Sequence, residues 1–291
     1  MPGKTAAKLA WFLAKRFPWF PMRRGMLEGV RKSGHAGLGG KTVRVKMRMG
    51  AVMDVDPLDE DGWVLFRDRG IQPEVVSVLR DLLHPGDGVL DIGAGYGYFT
   101  LLVCSLVGPK GHVYAFEANP TVANYLSANV GLNDYPNVRL HKVAVSNENG
   151  TGKLYVAAGH TGVTSLAPVE GEKTTAIAVT TKTIDSFASE LPHVRLVRVS
   201  APGSERAVLE GMKDLIGYDH PYIELEMGSR ATRRVAGEAA KILSALHGFN
   251  YATYEISARG THPLSGPKGE ATSVLAAAPG SHVPGLGAAR Q

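Results

Sequence analysis

The feature that most constrains the fold is an apolar segment that runs directly into three closely spaced glycines. Residues 88–92 are apolar apart from Asp91, and Gly93, Gly95 and Gly97 follow at once. Glycines at such a turn let the backbone approach a ligand closely and adopt conformations that side chains forbid. The residues after the turn predict a helix, whose first N–H groups suit a carboxylate or a phosphate. The segment therefore predicts a strand, a ligand-binding turn and a helix.

The chain from residue 73 onwards alternates between helix and strand patterns. Helices are predicted at 73–83, 97–107, 120–131, 204–216 and 231–247, and strands at 88–92, 112–116, 138–143, 195–200, 221–226, 249–256 and 272–277. This alternation is typical of an α/β fold with a mainly parallel sheet and helices on both faces. Because residues 256–271 have a loop-like composition, we expect the final strand to run in the reverse direction.

Other segments surround or interrupt this α/β core, which we place at 71–278. Residues 43–49 and 51–55 alternate and predict a β-hairpin that turns near Gly50, within a small β cap at 41–70. Residues 150–182 are rich in Gly, Thr and Val and predict a β insertion. Residues 279–291, rich in Gly, Pro and Ala, are expected to form a disordered tail.

The positive charge of the chain is concentrated at its N-terminus. Residues 1–50 contain 12 Lys or Arg and one acidic residue, Glu28, so the remainder is acidic although the net charge is +5. Residues 1–40 form a basic amphipathic extension with a predicted helix at 4–17. Its basic residues and five aromatic residues, Trp11, Phe12, Phe17, Trp19 and Phe20, favour a peripheral contact with an anionic membrane surface. Packing of the aromatic residues on the β cap or on a second subunit is an equally good alternative.

Composition excludes several classes of site. The single cysteine, Cys104, rules out an internal disulfide and a zinc site built on cysteines, and its apolar helix pattern predicts a buried thiol. No apolar run approaches the ~20 residues that a membrane-spanning helix needs, so we expect a cytoplasmic protein. The acidic body of the chain argues against a nucleic-acid partner. Nothing in the sequence indicates the oligomeric state.

Two acidic residues indicate which class of ligand the glycine turn would bind. Asp91 lies two residues before Gly93, where a carboxylate can receive the amino group of a methionine moiety. Glu117 ends the next apolar strand, where an acid can accept both hydroxyls of a ribose. The third glycine also arrives one position earlier than in the dinucleotide pattern G-x-G-x-x-G. These features predict S-adenosyl-L-methionine as the cofactor; the alternative is a structural turn with a solvated acid at each strand end.

An ordered series of short motifs resembles the FkbM family of S-adenosylmethionine-dependent methyltransferases over roughly residues 43–278. The matching stretches include residues 83–87, 91–97, 116–120, 143–147, 164–166, 183–187, 203–211 and 221–226. The resemblance implies a Rossmann-like class I methyltransferase sheet and methyl transfer to an oxygen of a sugar or another secondary metabolite. It also implies a set of cofactor-binding residues: Asp91, Gly93, Ala94, Gly95, Gly97, Tyr98, Glu117, Ala118, Asn119 and Ala144.

The chain departs from this family at the end of the fourth strand. The family usually carries a Lys-x-Asp-x-Glu-Gly pattern there, facing the reaction centre, whereas residues 198–203 have Ser200 and Pro202 in place of the two carboxylates. This replacement leaves two functions open. One is an O-methyltransferase that acts on a hydroxyl of a small molecule, a glycan or a lipid-linked intermediate. The other is a degenerate cofactor-binding protein without transferase activity.

Methyl transfer to a hydroxyl requires alignment of the reactants and often a base that removes the proton. Glu226, at the end of the strand 221–226, is the preferred base, and Ser200 is placed in the same reaction site. The other candidate bases are Glu205, Glu224, His141 and His160. We predict no metal site, because the histidines are scattered without ligand spacing and the usual carboxylates are replaced around Ser200.

Overall fold

A computed structural model describes residues 42–57, 59–157, 160–166, 174–227, 238–264 and 273–286. The chain divides into two units, Met1–Ile71 and Gln72–Gln291. The predicted helix at 4–17, with the rest of the basic extension at 1–40, lies outside the described residues. None of the described helices has the length and apolar composition that crossing a membrane requires.

The first unit contains the predicted β-hairpin. Strands β1 (Val43–Lys46) and β2 (Val52–Val55) pair antiparallel around Gly50, whose φ of +98° suits a glycine turn. Helix α1 (Glu60–Asp68) follows, within the region that was predicted to be a β cap. The signal for the helix is local: the Asp59 side chain accepts a hydrogen bond from the Gly62 N–H at 3.2 Å and caps the first turn.

The second unit begins with the expected alternation of helices and strands. It contains, in chain order, α2 (Pro73–Leu82), β3 (Gly88–Ile92), α3 (Tyr98–Val107), β4 (His112–Phe116), α4 (Pro120–Gly131), β5 (Val138–His141), β6 (Ala144–Val145), β7 (Gly150–Ala157), β8 (His160–Ser165) and β9 (Thr174–Lys182). It continues with β10 (Val194–Val199), α5 (Glu205–Glu210), α6 (Lys213–Asp219), β11 (Tyr222–Glu226), α7 (Glu238–Gly248), β12 (Ala252–Ser257), β13 (Gly260–Pro263) and β14 (Ser273–Ala277).

Eight strands form the central sheet in the order β13-β12-β14-β11-β10-β3-β4-β5. Strands β5, β4, β3, β10 and β11 pair in parallel, whereas β14 is antiparallel to both of its neighbours, as predicted for the final strand. The fold is therefore a Rossmann-like α/β sheet. The direction in which strands are added reverses between β3 and β10, and the carboxyl ends of strands at such a point are where open α/β sheets bind ligands.

Burial explains why the central strands were readily predicted. All five residues of β3 and of β14 are buried, as are most residues of β4, β10 and β11. Strands covered on both faces have near-continuous apolar sequences. The main core packs β3, β10, β11 and β14 against residues of α5, α6 and α7.

Three predicted boundaries were wrong. The helix expected at 204–216 is interrupted at Gly211, where a Cβ would lie 2.0 Å from the Ser146 carbonyl oxygen. The loop expected at 256–271 contains strand β13, which pairs antiparallel with β12 across a turn at residues 258–259. The strand expected at 249–256 begins only at Ala252, because Asn250 has a left-handed φ of +65°. Of the helix predicted at 231–247, residues 231–237 lie outside the described residues.

The segment at 150–182 forms a second sheet together with β6, in the order β6-β9-β7-β8. Its small core consists of Ala144, Leu154 and Val179, with Ala118 packed against them. At the C-terminus, the predicted tail contacts the rest of the chain at a few points, although five of residues 279–286 are exposed. There Val283 is buried, and the Tyr222 hydroxyl donates to the His282 carbonyl at 2.6 Å. The last five residues lie outside the described residues.

Candidate active site

The three glycines between β3 and α3 all have left-handed φ angles: +75° at Gly93, +58° at Gly95 and +92° at Gly97. A Cβ at Gly93 would lie 1.9 Å from the Ser200 carbonyl oxygen, and one at Gly97 would lie 2.5 Å from Cδ1 of Leu126. Around a Cβ at Gly95, by contrast, no atom of the described residues lies within 4 Å. Gly93 and Gly97 thus let the turn pack against its neighbours, while Gly95 leaves room for a ligand.

Glu117, directly after β4, is joined to this open glycine. Its Oε2 accepts a hydrogen bond from the Gly95 N–H at 2.9 Å, and its Oε1 accepts one from the Asn119 N–H at 2.8 Å. Burial raises the pKa of Glu117 above its ordinary value, and the hydrogen bonds from Asn119 and Gly95 oppose that rise. Because a carboxylate offers about four acceptor sites, Glu117 retains capacity for the two hydroxyls of a ribose.

Asp91 lies near the end of β3 and is almost completely buried, at 1% exposure. Its Oδ2 accepts a hydrogen bond from the Thr100 hydroxyl at 2.6 Å, and its Oδ1 accepts one from Nη1 of Arg198 at 3.3 Å. Both oxygens thus have partners within the protein. The contact of Asp91 with an amino group stays a prediction.

Arg198, near the end of β10, lies among three acidic side chains. Its Nη1 faces Asp91 at 3.3 Å, its Nε faces Oε2 of Glu224 at 3.4 Å, and its Nη2 faces Oε2 of Glu226 at 3.3 Å. The Phe99 ring covers the guanidinium, with its centroid 3.9 Å from Cζ. We call Asp91, Arg198, Glu224 and Glu226 the arginine cluster.

Glu224 is an acid of the arginine cluster whose pKa is raised. Burial raises its pKa to about 8, Arg198 opposes the rise, and the charges of Glu226 and Asp91 add to it. The folded protein therefore favours the protonated form of Glu224.

The structure brings the two predicted catalytic residues together. The Ser200 hydroxyl donates to Oε2 of Glu226 at 2.9 Å. The side chain of Glu226 is 31% exposed, whereas those of Glu224 and Asp91 are 0% and 1% exposed. Within the arginine cluster, Glu226 is therefore the acid that an acceptor can reach.

The remaining candidate bases are less suitable in place or chemistry. Glu205 is buried at the start of α5. His141 stacks on Phe116 with centroids 4.9 Å apart, and burial lowers its pKa. His160 lies on β8, and its side chain is outside the described residues. Among the described residues, no group of three or more His, Cys, Asp or Glu side chains is placed to hold a metal ion.

The other predicted cofactor residues fall into two places. Ala94 and Tyr98 are buried at the glycine turn, and Asn119 caps α4 by accepting from the Thr121 N–H at 3.0 Å. Ala118 and Ala144 instead share the small core of the second sheet. The sequence did not reveal the three acids around Arg198 or the role of Thr100, although a charged residue within the apolar strand Val194–Val199 was a signal.

Comparison with known proteins decides the family. The family model described as methyltransferase FkbM domain matches residues 91–254. The chain belongs to the FkbM methyltransferase family. This confirms the resemblance found in the sequence motifs, and it covers the glycine turn, Glu117 and the arginine cluster.

Several proteins similar to this FkbM-family chain are methyltransferases by description. The protein-L-isoaspartate O-methyltransferase of Aeropyrum pernix is 29% identical over 226 residues, which are 74% of this chain and 76% of that protein. The structure of methyltransferase FkbM from Methylobacillus flagellatus is 13% identical, with a TM-score of 0.42, over 74% of this chain and 52% of that one. Aeropyrum pernix fibrillarin, crystallised with bound S-adenosyl-L-methionine, is 13% identical, with a TM-score of 0.43, over 81% and 93%.

Proposed function

We propose that this protein is an S-adenosyl-L-methionine-dependent O-methyltransferase whose acceptor is a hydroxyl of a sugar, a glycolipid or another small molecule. The glycine turn fits the cofactor, because Gly95 faces open space beside the Glu117 carboxylate. The residues that would hold the cofactor are those of the turn together with Asp91, Glu117, Ala118 and Asn119. When bound, the cofactor supplies a methyl group on a sulfonium cation.

The observation that carries the proposal is the pair formed by Ser200 and Glu226 at adjacent strand ends. Ser200 and Arg198 both donate to Oε2 of Glu226, at 2.9 and 3.3 Å. These two donors orient the carboxylate, and we assign its Oε1 to the proton of the acceptor hydroxyl. A positioned carboxylate that removes this proton during transfer typically accelerates the reaction by about 10²–10⁴-fold.

The partly exposed side chain of Glu226 favours a hydroxyl over a carboxylate as the acceptor. The relative from Aeropyrum pernix is described as acting on protein L-isoaspartate, a residue linked through its side chain so that its α-carboxylate is free. A carboxylate acceptor needs no base, and its charge would lie beside the partly exposed carboxyl group of Glu226. A neutral hydroxyl avoids this repulsion and makes use of Glu226.

The test is methyl transfer from cofactor with a labelled methyl group, offered with a cell extract, a panel of glycosides and an isoaspartyl peptide. We expect a labelled product that survives mild alkali, because a methyl ether is stable there whereas a methyl ester releases methanol. Glu226→Gln should lower the rate by at least about 10²-fold while cofactor affinity changes less than about twofold.

The matched control is Glu255→Gln, which changes a half-buried glutamate on β12 of the same sheet and should transfer at the wild-type rate. An alkali-labile product would show that the acceptor is a carboxyl group and not a hydroxyl. Tight cofactor binding without transfer to any fraction would favour the degenerate binding protein that Ser200 and Pro202 suggest.

A further inference from the structure

Three neighbouring strands place the arginine cluster in one row across the sheet. Asp91 of β3 and Glu224 of β11 are both register partners of Arg198 on β10. Glu226 lies two residues after Glu224, so its side chain projects from the same face of the sheet. The cluster therefore connects the strand that enters the glycine turn with the strand that ends at the candidate base.

Arg198 is the donor that these two ends share. It donates from Nη1 to Asp91 and from Nη2 to Glu226, both at 3.3 Å. Each of these acids has a second donor of its own, Thr100 for Asp91 and Ser200 for Glu226. Because the guanidinium is planar and covered by Phe99, the directions of its nitrogens are fixed, and so are the orientations of the carboxylates that they bind.

We propose that Arg198 is a positioning residue that holds Asp91 at the glycine turn and Glu226 at the reaction site with one guanidinium, and thereby couples cofactor affinity to methyl transfer. This inference rests on the proposed function. A lysine cannot substitute, because its single ammonium group cannot present separate, fixed donors to both carboxylates. A purely structural arginine would affect only the stability of the fold.

The experiment measures the affinity for S-adenosylhomocysteine by calorimetry and the unfolding midpoint, for Arg198→Lys and for a control. The control is Arg195→Lys, on the same strand, where the guanidinium lies over the Tyr222 ring at 4.9 Å. We expect Arg198→Lys to weaken affinity by about 10-fold, the usual size of a lost charged hydrogen bond, and Arg195→Lys to leave it within about twofold.

A double-variant cycle tests whether Arg198 acts through Asp91. In the Asp91→Asn background, Arg198→Lys should weaken affinity by less than about twofold, because the carboxylate that it orients is gone. With an accepted substrate, Arg198→Lys should also lower kcat at saturating cofactor, which a change confined to stability would not do.

If Arg198→Lys does not fold, the double variant Arg198→Lys with Glu224→Gln keeps a cation beside Asp91 and Glu226 and replaces the third acid by a neutral amide, so Asp91 is not left as a buried charge without a partner. It should fold and bind S-adenosylhomocysteine at least about 10-fold more weakly than the wild type. Affinity equal to wild type in either folded variant, or additive effects in the cycle, would overturn the inference. Absence of binding by the wild-type protein would instead overturn the proposed function.

Discussion

Glu224 is the residue whose charge depends most strongly on folding. It is completely buried, faces Arg198 and has no hydrogen-bond donor for either oxygen among the described residues. Its pKa is raised to about 8 in the folded protein, so the folded state binds its proton more tightly than the unfolded state does. The stability that this proton contributes is fully present below the ordinary glutamate pKa and is lost as the pH rises through 8.

Glu224→Gln removes this dependence, because the amide stays neutral at every pH. Relative to the variant, the wild type should lose stability between pH 5 and pH 8, at a rate on the order of 1 kcal/mol per pH unit. Urea unfolding of both proteins at four pH values in this range measures the difference. Parallel pH profiles would show that Glu224 is ionised in the folded state.

Glu117 allows a prediction about cofactor affinity. Glu117→Ala removes the acceptor expected for the ribose and leaves the N–H groups of Gly95 and Asn119 without this partner. We expect S-adenosylmethionine binding to weaken by roughly 1–3 kcal/mol. Calorimetry measures this loss against Glu190→Ala, an exposed glutamate outside the site. Unchanged affinity in folded Glu117→Ala would remove the ribose contact from the proposed site.

At the residue level, the sequence predicted Ser200 and Glu226 as residues of the candidate site, but it did not predict the contacts of Arg198 between them. Glu226 was predicted because it ends an apolar strand and resembles the family's acid there, and Ser200 because it stands in the position of a family carboxylate; parallel strands end at the same edge of a sheet. The contacts of Arg198 can be predicted only when the register of three strands is known, because that register pairs it with Asp91 on one side and Glu224 on the other. That register depends on long-range packing, and residue types alone do not determine it.

Among the elements, the turn between β3 and α3 allows a separate prediction for each of its glycines, because an added Cβ would meet different neighbours at each position. Gly93→Ala places a Cβ 1.9 Å from the Ser200 carbonyl, a backbone clash that should prevent stable folding. Gly95→Ala meets no described atom and should cost only about 1–2 kcal/mol for its left-handed φ. Its methyl group nevertheless faces the expected ligand, so cofactor affinity should fall by about 10-fold or more.

The control for this turn is Gly86→Ala, at the other end of β3, which also has a positive φ and no described atom near the added Cβ. It should lose a similar amount of stability and bind the cofactor normally. Thermal unfolding measures the stability of Gly93→Ala, Gly95→Ala and Gly86→Ala, and calorimetry measures the cofactor affinity of those that fold. Normal cofactor affinity in Gly95→Ala would show that the ligand does not bind beside Gly95.

The elements that could be predicted are those whose signal is local. Strands β3, β4 and β10 were found because burial on both faces requires continuous apolar sequence. The break between α5 and α6 was missed because its cause, the close approach of Gly211 to Ser146, joins residues far apart in the chain. Strand β13 was missed because it is short and only half-buried at the sheet edge, where apolar patterning is weak.

For the whole molecule, the single cysteine is an internal reporter of opening of the second unit. Cys104 lies in α3 with 0% exposure, and burial together with the charge of Asp91 raises its pKa to about 12. The reactive thiolate is therefore both inaccessible and rare in the folded protein. Labelling should require that the unit opens, and its rate should report the fraction of open molecules.

We expect a thiol reagent at pH 8 to label native protein at least about 10³-fold more slowly than urea-unfolded protein, as a stability of roughly 5 kcal/mol or more would dictate. S-adenosylhomocysteine at 100 times its Kd should slow labelling a further 100-fold or so, because only the folded unit binds it. Cys104→Ala, which has no thiol, gives the background. If labelling were rapid in native protein, α3 would open on its own; if bound ligand did not slow it, the opening that exposes Cys104 would leave the cofactor site intact.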